Sequence, residues 1–272
     1  MTHAAPAPLS IDDLRRARAA ARCGHTIEYF DTLESTNTTA AAHARAGASE
    51  GTVVIAETQT RGRGRLGRAW VSPPFRNLYL SIVLRPAIPP GDAPRLALVA
   101  GLATADAVAE WAPRVALKWP NDVLVDNRKV AGILTEMDAD GDHVRFVIAG
   151  IGVNLNGTLD DFPAELRDKA GSLAMAVGAP IDRVAFAARV LSCLEARYAR
   201  FLAHGFAALR SEWNARSCLQ GRQVQIDDGG QRHRGIVSGV ADDGALCLRD
   251  AAGHDVRIVA GEVTVVDGYQ RG

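Results

Sequence analysis

A glycine–arginine run followed at once by paired prolines restricts this chain more than any other feature. Gly62-Arg63-Gly64-Arg65-Leu66-Gly67 fits the pattern G-x-G-x-x-G. In nucleotide-binding α/β proteins that pattern turns a strand into a helix whose N-terminus receives a pyrophosphate. Here the chain continues Arg68-Ala69-Trp70-Val71-Ser72-Pro73-Pro74, and two adjacent prolines forbid an extended helix. No Gly-Lys pair exists, so the Walker-type loop is absent too. What remains is Arg61, Arg63, Arg65 and Arg68 spaced by glycines. Glycines let the backbone approach a ligand, and guanidinium groups bind carboxylate or phosphate in bidentate fashion. Such a loop suits an anionic clamp that orders over its substrate, and equally a solvated basic loop that touches RNA.

Length and charge leave a soluble globular protein. The 272 residues suffice for one sizeable domain and a small one, and 47% hydrophobic with 23% charged residues provides a real core. A formal net charge of zero gives no global steering toward nucleic acid or an anionic membrane. Cys23, Cys193, Cys218 and Cys247 show no C-x-x-C spacing, and MTHAAPAPLS has no basic start followed by an apolar stretch, so a cytoplasmic location is expected. No run is long and apolar enough to span a bilayer. Only three of the 31 basic residues are lysine, namely Lys118, Lys129 and Lys169. Lysine offers a compact point charge where arginine offers a planar fork.

Residues 1–9 read as disordered, and 10–23 as one helix with Ser10 as N-cap and Gly24 as its stop. A strand over 26–30 precedes an alanine-rich helix that opens at Ser35 or Thr36 and ends near Gly47. Strands are predicted over 51–57 and 77–84, and a helix over 94–111. Segments 115–117, 123–125, 129–137 and 144–153 alternate with turn signals such as Asp126-Asn127 and Asp140-Gly141, as a meander would. Helices over 183–204 and 206–216 follow. After Cys218 the segments 222–227, 231–240, 245–250, 254–259 and 262–266 form five short strand candidates separated by Asp-Gly and Ala-Gly turns. They suggest a small closed β-barrel docked on the rest.

Lys118-Trp119-Pro120-Asn121-Asp122 joins two of these strands, and Lys129 opens Lys129-Val130-Ala131-Gly132-Ile133-Leu134. Proline at a strand junction fixes the turn and aims its neighbours, while small residues leave space against a sheet. Trp119 reads as core, and Lys118 stays open between a surface charge and a site residue; Asn121, Asp122 and Lys129 read as a site. Gly150-Ile151-Gly152-Val153-Asn154 ends an apolar strand where polar groups face a pocket, although Gly and Asn also simply make turns.

Ser35-Thr36-Asn37, Gln59 with GRGRLGR, KWPND with Lys129, and GIGVN, in that order, resemble the biotin–protein ligase family from Thr26 onward. The resemblance implies an α+β fold: a mixed β-sheet backed by helices, with a small C-terminal SH3-like β-barrel. The divisions implied are 1–24 (tail and short helix), 25–217 (catalytic) and 218–272 (SH3-like). It further implies a biotin pocket of Ser35, Thr36, Asn37, Gln59, Arg63, Gly64, Arg65, Lys129, Gly132, Leu134, Gly150, Ile151 and Gly152. The nucleotide would meet Arg65, Arg68, Trp70, Asn121, Lys129 and Asn154. Lys129, Arg65 and Asp122 carry the catalytic roles, with Asp122 either a base or a metal ligand. Mg²⁺ with ATP is the implied cofactor. The partners are the biotin carboxyl carrier protein of acetyl-CoA carboxylase and other biotin-dependent carboxylases. Arg61 departs from the family pattern, where a small residue is common.

Many relatives also carry a DNA-reading helix-turn-helix at the N-terminus. Only 34 residues precede Ser35, holding one helix and one strand, so a monofunctional ligase without DNA or membrane binding is expected. The oligomeric state stays open, a homodimer included. A lipoate–protein ligase of the same fold is the nearest alternative. A non-catalytic nucleic-acid-binding module is the distant one.

Overall fold

The computed structural model describes residues 7–266. Along the chain lie α1 (Ile11–Arg18), β1 (Ile27–Leu33), α2 (Thr36–Arg45), β2 (Val53–Gln59), β3 (Leu78–Leu84), α3 (Arg95–Val108), β4 (Val115–Lys118), β5 (Asp122–Val125), β6 (Arg128–Asp140) and β7 (His143–Val153). Next come α4 (Leu173–Val177), α5 (Arg183–His204), α6 (Ala207–Ala215), β8 (Gln223–Asp227), β9 (Arg232–Val240), β10 (Leu246–Arg249), β11 (Asp255–Ile258) and β12 (Glu262–Val265). The first sheet has the order β1-β2-β3-β7-β6-β5-β4, with β1 parallel to β2 and the other ladders antiparallel. It is therefore mixed, and β4 to β7 form the expected meander. Asp126 and Asn127 both take positive φ in the two-residue turn between β5 and β6, as a mirror-image hairpin turn requires.

Period-two alternation assigns each face of this sheet. Leu78, Leu80, Ile82 and Leu84 of β3, with Val147, Ala149, Ile151 and Val153 of β7, enter the main core with the α3 and α5 side chains. Val54, Val83, Phe146 and Ile148 point the other way and pack on Ala40 and Ala44 of α2. Both faces are covered, so β3 is buried along its whole length and reads as a continuous apolar run. Ser81 is the polar exception within it.

The five C-terminal strand candidates all form, in the antiparallel order β11-β10-β9-β8-β12. Among the described residues no ladder joins β11 to β12, so this sheet is not closed by hydrogen bonds as a complete barrel would be. Its interior is continuous with that of the first sheet: Leu219, Val224, Ile226, Leu246 and Leu248 share one core with Leu117 and Trp119. Trp119 is 2% exposed and donates Nε1–H to Gly244 O at 3.0 Å, which bears out its reading as core.

The N-terminus departs from expectation. The helix stops at Arg18 because that side chain turns back to donate to Cys23 O at 2.9 Å and to the Glu195 carboxylate of α5 at 2.7 Å. These tertiary ties override the helix propensity of the following alanines. Ser10 sits at the N-cap position, but its hydroxyl donates to the Asp13 carboxylate instead of capping an amide. Ala7 to Leu9 are held rather than disordered: Arg183 donates to Ala7 O at 3.0 Å, and the Leu9 amide donates to Glu57 at 2.7 Å. Residues 1–6 lie outside the described residues. Among the described residues no helix is long and apolar enough to cross a membrane.

Candidate active site

Beside the start of α2, the face of the first sheet that α2 covers carries small and polar residues beneath the Arg–Gly hairpin, and these outline the candidate groove. Alternation places Tyr79 and Ser81 of β3, Gly150 and Gly152 of β7, and Gly132, Leu134 and Glu136 of β6 on this side. Gly132 is paired directly with Gly152, so the floor lacks side chains at that pair, and Leu134 faces a bare Gly150. The space is used. A Cβ on Gly150 would lie 2.0 Å from Asn37 Oδ1, and one on Gly152 would lie 2.7 Å from the Trp70 ring. Glycine is required at both positions by close approach, not by backbone angle.

The arginine–glycine segment forms the roof. An antiparallel bridge joins Arg63 to Ala69, Gly64 N–H donates to Arg68 O at 2.7 Å, and Trp70 N–H donates to Gly62 O at 2.9 Å. The tip is a single tight turn over Arg65–Gly67 in which Leu66 takes φ 54°. No extended helix follows, as the prolines dictate. The hairpin drops the Trp70 ring onto Gly132 and Gly152, where its Nε1–H is buried and meets no acceptor in the protein. A buried donor without a partner is costly, so a ligand acceptor here would be well received.

Cations converge on the same place. Lys129 Nζ lies 5.4 Å from the Trp70 ring centre and 2.6 Å from Asp122 Oδ1, in a charge–charge contact off the hydrogen-bond direction. The backbone of Lys129 is clamped by Lys169 O at 2.8 Å and the Gly171 amide at 3.0 Å. Burial pushes the Arg65 guanidinium down from its ordinary value, with Asp122 and Glu262 opposing, so this cation gains from any incoming anion. Each roof arginine meets an acceptor of the chain itself: Arg61 meets Glu34 at 3.0 Å, Arg63 meets Glu136 at 2.7 Å, and Arg65 meets Gly261 O at 3.4 Å. Arg68 pairs with the Glu262 carboxylate.

At the start of α2, Ser35 occupies the N-cap position without spending its hydroxyl on the helix. Gln59 Oε1 accepts from Thr36 N at 2.9 Å, and Gln59 Nε2 donates to Ser72 Oγ at 3.2 Å. Ser81 Oγ lies 2.8 Å from Thr36 Oγ1 and 2.6 Å from Asn37 Oδ1. Hydroxyl and amide groups thus crowd one end of the groove, and cations the other. This polarity suits a ligand with a hydrogen-bonding head and an anionic tail.

Sequence comparison agrees with that geometry. Residues 29–154 match the model of the biotin/lipoate A/B protein ligase family, and residues 220–266 match that of the biotin protein ligase C terminal domain. The bifunctional ligase/repressor BirA of Bacillus subtilis is 39% identical over 249 residues, covering 91% of this chain and 77% of that protein. A biotin–(acetyl-CoA-carboxylase) ligase of Paracoccus denitrificans is 40% identical over 218 residues, covering 77% of this chain and 88% of that protein. The chain belongs to the biotin–protein ligase family. Among solved structures, the biotin protein ligase of Aquifex aeolicus in complex with biotin and ATP is similar at a TM-score of 0.76 and 28% identity, covering 91% of this chain and 99% of that one.

Within this family frame, Ser35, Thr36, Asn37, Gln59, Gly132, Leu134, Gly150, Gly152, Trp70, Lys129 and Asp122 come together along the groove. Arg63, Arg65 and Arg68 stand on the hairpin above it. Ile151 does not join them: alternation sends its side chain into the main core, so only its backbone borders the groove. The Gly64 amide is already spent on Arg68 O. Asn121 donates Nδ2–H to Ile133 O at 2.8 Å, and Asn154 donates Nδ2–H to Gly171 O at 3.1 Å, so both amides also brace the backbone. Sequence reasoning missed Tyr79, Ser81, Glu136, Gly261 and Glu262. A lone serine inside an apolar strand was a signal for Ser81; nothing local pointed to the C-terminal pair.

Proposed function

We propose that this chain is a biotin–protein ligase that condenses biotin with ATP to biotinyl-5′-AMP, then passes biotin to a lysine of a carboxylase carrier domain. The observation that carries this reading is the glycine-floored groove with polar acceptors at one end and Lys129, Arg65 and Arg68 at the other. A carboxylate resists an amine because it is anionic and offers a poor leaving group. Attack of the biotin carboxylate oxygen on the α-phosphorus releases pyrophosphate and leaves a mixed anhydride. Two anions must meet in that step, and Lys129 with the half-buried Arg65 offsets their repulsion as charge shifts in the transition state. Trp70 supplies a flat apolar wall for adenine, and Lys129 stays beside it. The roof then excludes water from the adenylate. In the second step the neutral amine of the carrier lysine attacks the acyl carbon and AMP leaves; the proton goes to solvent or to Asp122. No enzyme nucleophile is needed.

Magnesium fits as an ion that arrives with ATP. Among the described residues no group of three or more His, Cys, Asp or Glu side chains is placed to hold a metal. Asp122 would offer one oxygen, which suits an ion whose other ligands are phosphate oxygens and water. When bound, it neutralises phosphate charge. The carrier of acetyl-CoA carboxylase is the proposed protein substrate, and the cytoplasm the proposed location. A match of residues 220–266 to a biotin ligase C-terminal model favours biotin over lipoate.

The test mixes the protein with biotin, Mg-ATP and a biotin carrier domain and measures pyrophosphate and labelled carrier. Lipoate should not compete at equal concentration. Absence of both products with biotin overturns the reading.

A further inference from the structure

Glu136 is the last groove-facing residue of β6 before the strand leaves the site, and its Oε2 accepts two hydrogen bonds. Asn37 Nδ2 donates to it at 2.7 Å, and Arg63 Nη2 donates at 2.7 Å. The Asn37 amide is fixed at every other point: Nδ2 also donates to Leu134 O at 3.2 Å, and Oδ1 lies 2.6 Å from Ser81 Oγ. Asn37 is 4% exposed and rests against the bare Cα of Gly150. Both of its N–H groups are therefore taken by the protein, and its oxygen is the end turned toward the floor. Arg63 belongs to the roof, and its side chain is 44% exposed.

We infer that Glu136 is a positioning residue for retention of the adenylate: one carboxylate oxygen orients the Asn37 amide and draws the Arg63 roof down over it. This inference rests on the ligase reading for the identity of the bound molecule. Glu136 touches no reacting atom. It makes two elements that are distant in sequence, the first turn of α2 and the hairpin, share a single anion. Loosening one then leaves that anion to the other and to water, so ring recognition and roof closure are coupled. The bland alternative is a surface ion pair that merely neutralises charge; such pairs contribute little and do not couple to a neighbour. Glutamine at 136 separates the two, because its oxygen can still accept from Asn37 while the charge that attracts Arg63 is gone.

The test compares Glu136→Gln, Arg63→Ala, the double variant and Glu136→Ala in the full-length protein. Glu136→Gln should leave the Kd for biotin alone within about threefold and speed escape of biotinyl-AMP about tenfold. Arg63→Ala should speed escape of biotinyl-AMP to a similar degree, and the double variant should be no faster than either single one. Glu136→Ala, which also releases Asn37, should weaken biotin itself about tenfold or more. Unchanged escape in Glu136→Gln, or a double variant whose effect is the product of the single ones, overturns the inference. If the wild-type protein made no adenylate, the ligase reading would fall and the shared acceptor would be judged by trypsin. Cleavage at Arg61–Arg68 should then accelerate in Glu136→Gln relative to other sites, and unchanged cleavage overturns it.

Discussion

Lys129 Nζ stands 2.6 Å from Asp122 Oδ1, opposite the strand position where Gly132 seats the Trp70 ring. The pair holds a cation beside the groove without burying it unpaired. Replacing Lys129 by alanine should keep the fold, read by circular dichroism, and reduce biotin-dependent pyrophosphate release at least about 100-fold, the scale of one lost transition-state donor. Asp122→Asn should cost less. A Lys129→Ala protein with normal release would remove the ammonium from the chemistry.

The floor glycines give a steric prediction. In Gly152→Ala the new methyl meets the Trp70 ring at 2.7 Å, so the ring must leave its seat. Trp70 becomes more exposed, and the difference emission spectrum against Trp70→Phe should shift to the red. Biotin affinity should fall by at least about tenfold, since 1.4 kcal/mol of strain suffices for that. An unaltered spectrum with unaltered affinity would mean that the floor does not seat Trp70.

Arg68 ties the roof to the C-terminal sheet through Glu262, and the hydrogen bond from Arg68 holds that carboxyl below the usual carboxylate range. If phosphate must displace Glu262, Glu262→Gln should lower the KM for ATP, at most about fivefold, because an exposed pair is worth roughly 0.2–1 kcal/mol. The sign of its pH dependence follows from the lowered value. The tie is fully present above the ordinary carboxylate pKa, near 4.3, and is lost only as pH falls through the lower folded-state value. The ratio of KM between variant and wild type should therefore stay constant from about pH 5 to 8. A ratio that changes across that window would detach the effect from this carboxylate.

Glu57 is fully buried, and Arg183 Nη2 meets its Oε2 at 2.6 Å while Tyr29 OH donates to its Oε1 at 2.8 Å. Arg183→Ala strands a carboxylate in the interior and should cost about 3–5 kcal/mol in urea unfolding. A paired Glu57→Gln, Arg183→Met variant should cost less than Arg183→Ala alone. Equal losses would show that packing, not charge, sets the effect.

Cys23 is 3% exposed, and burial pushes its thiol up to about 12. The thiolate is the reactive form, so at pH 8 Cys23 should resist iodoacetamide in the native protein and react once the chain is unfolded. Peptide mass mapping reads this directly. Rapid native labelling would contradict the burial of the turn that Arg18 closes.

Much of the architecture was legible because its signals are local. The β4 to β7 meander is written in short apolar runs separated by residues that accept positive φ, and α5 in a 3.6-residue apolar period between Asp182 and Gly205. The paired prolines sufficed to reject a dinucleotide-binding helix. Failures came where a distant side chain decided the outcome. The first helix ends early because Glu195, far along the chain, captures Arg18. Ile151, between two groove glycines, is a separate case: strand alternation alone sends its side chain into the core and leaves its backbone at the groove. The roof's partners were invisible because the hairpin that meets them is distant in sequence: Glu136 lies inside β6 like any polar strand residue, and Gly261 and Glu262 lie at the start of β12 in the other sheet.

The arginines of the hairpin are not bare charges awaiting a counterion, since every one of them already rests on an oxygen of the chain. Binding there is an exchange reaction. A solitary inorganic anion can replace one tie while gaining little over what it displaces. A molecule carrying several negative groups in a row replaces many ties at once and frees the displaced carboxylates to water. Selection for polyanionic guests over chloride or orthophosphate is thus built into the resting state, before any shape is recognised.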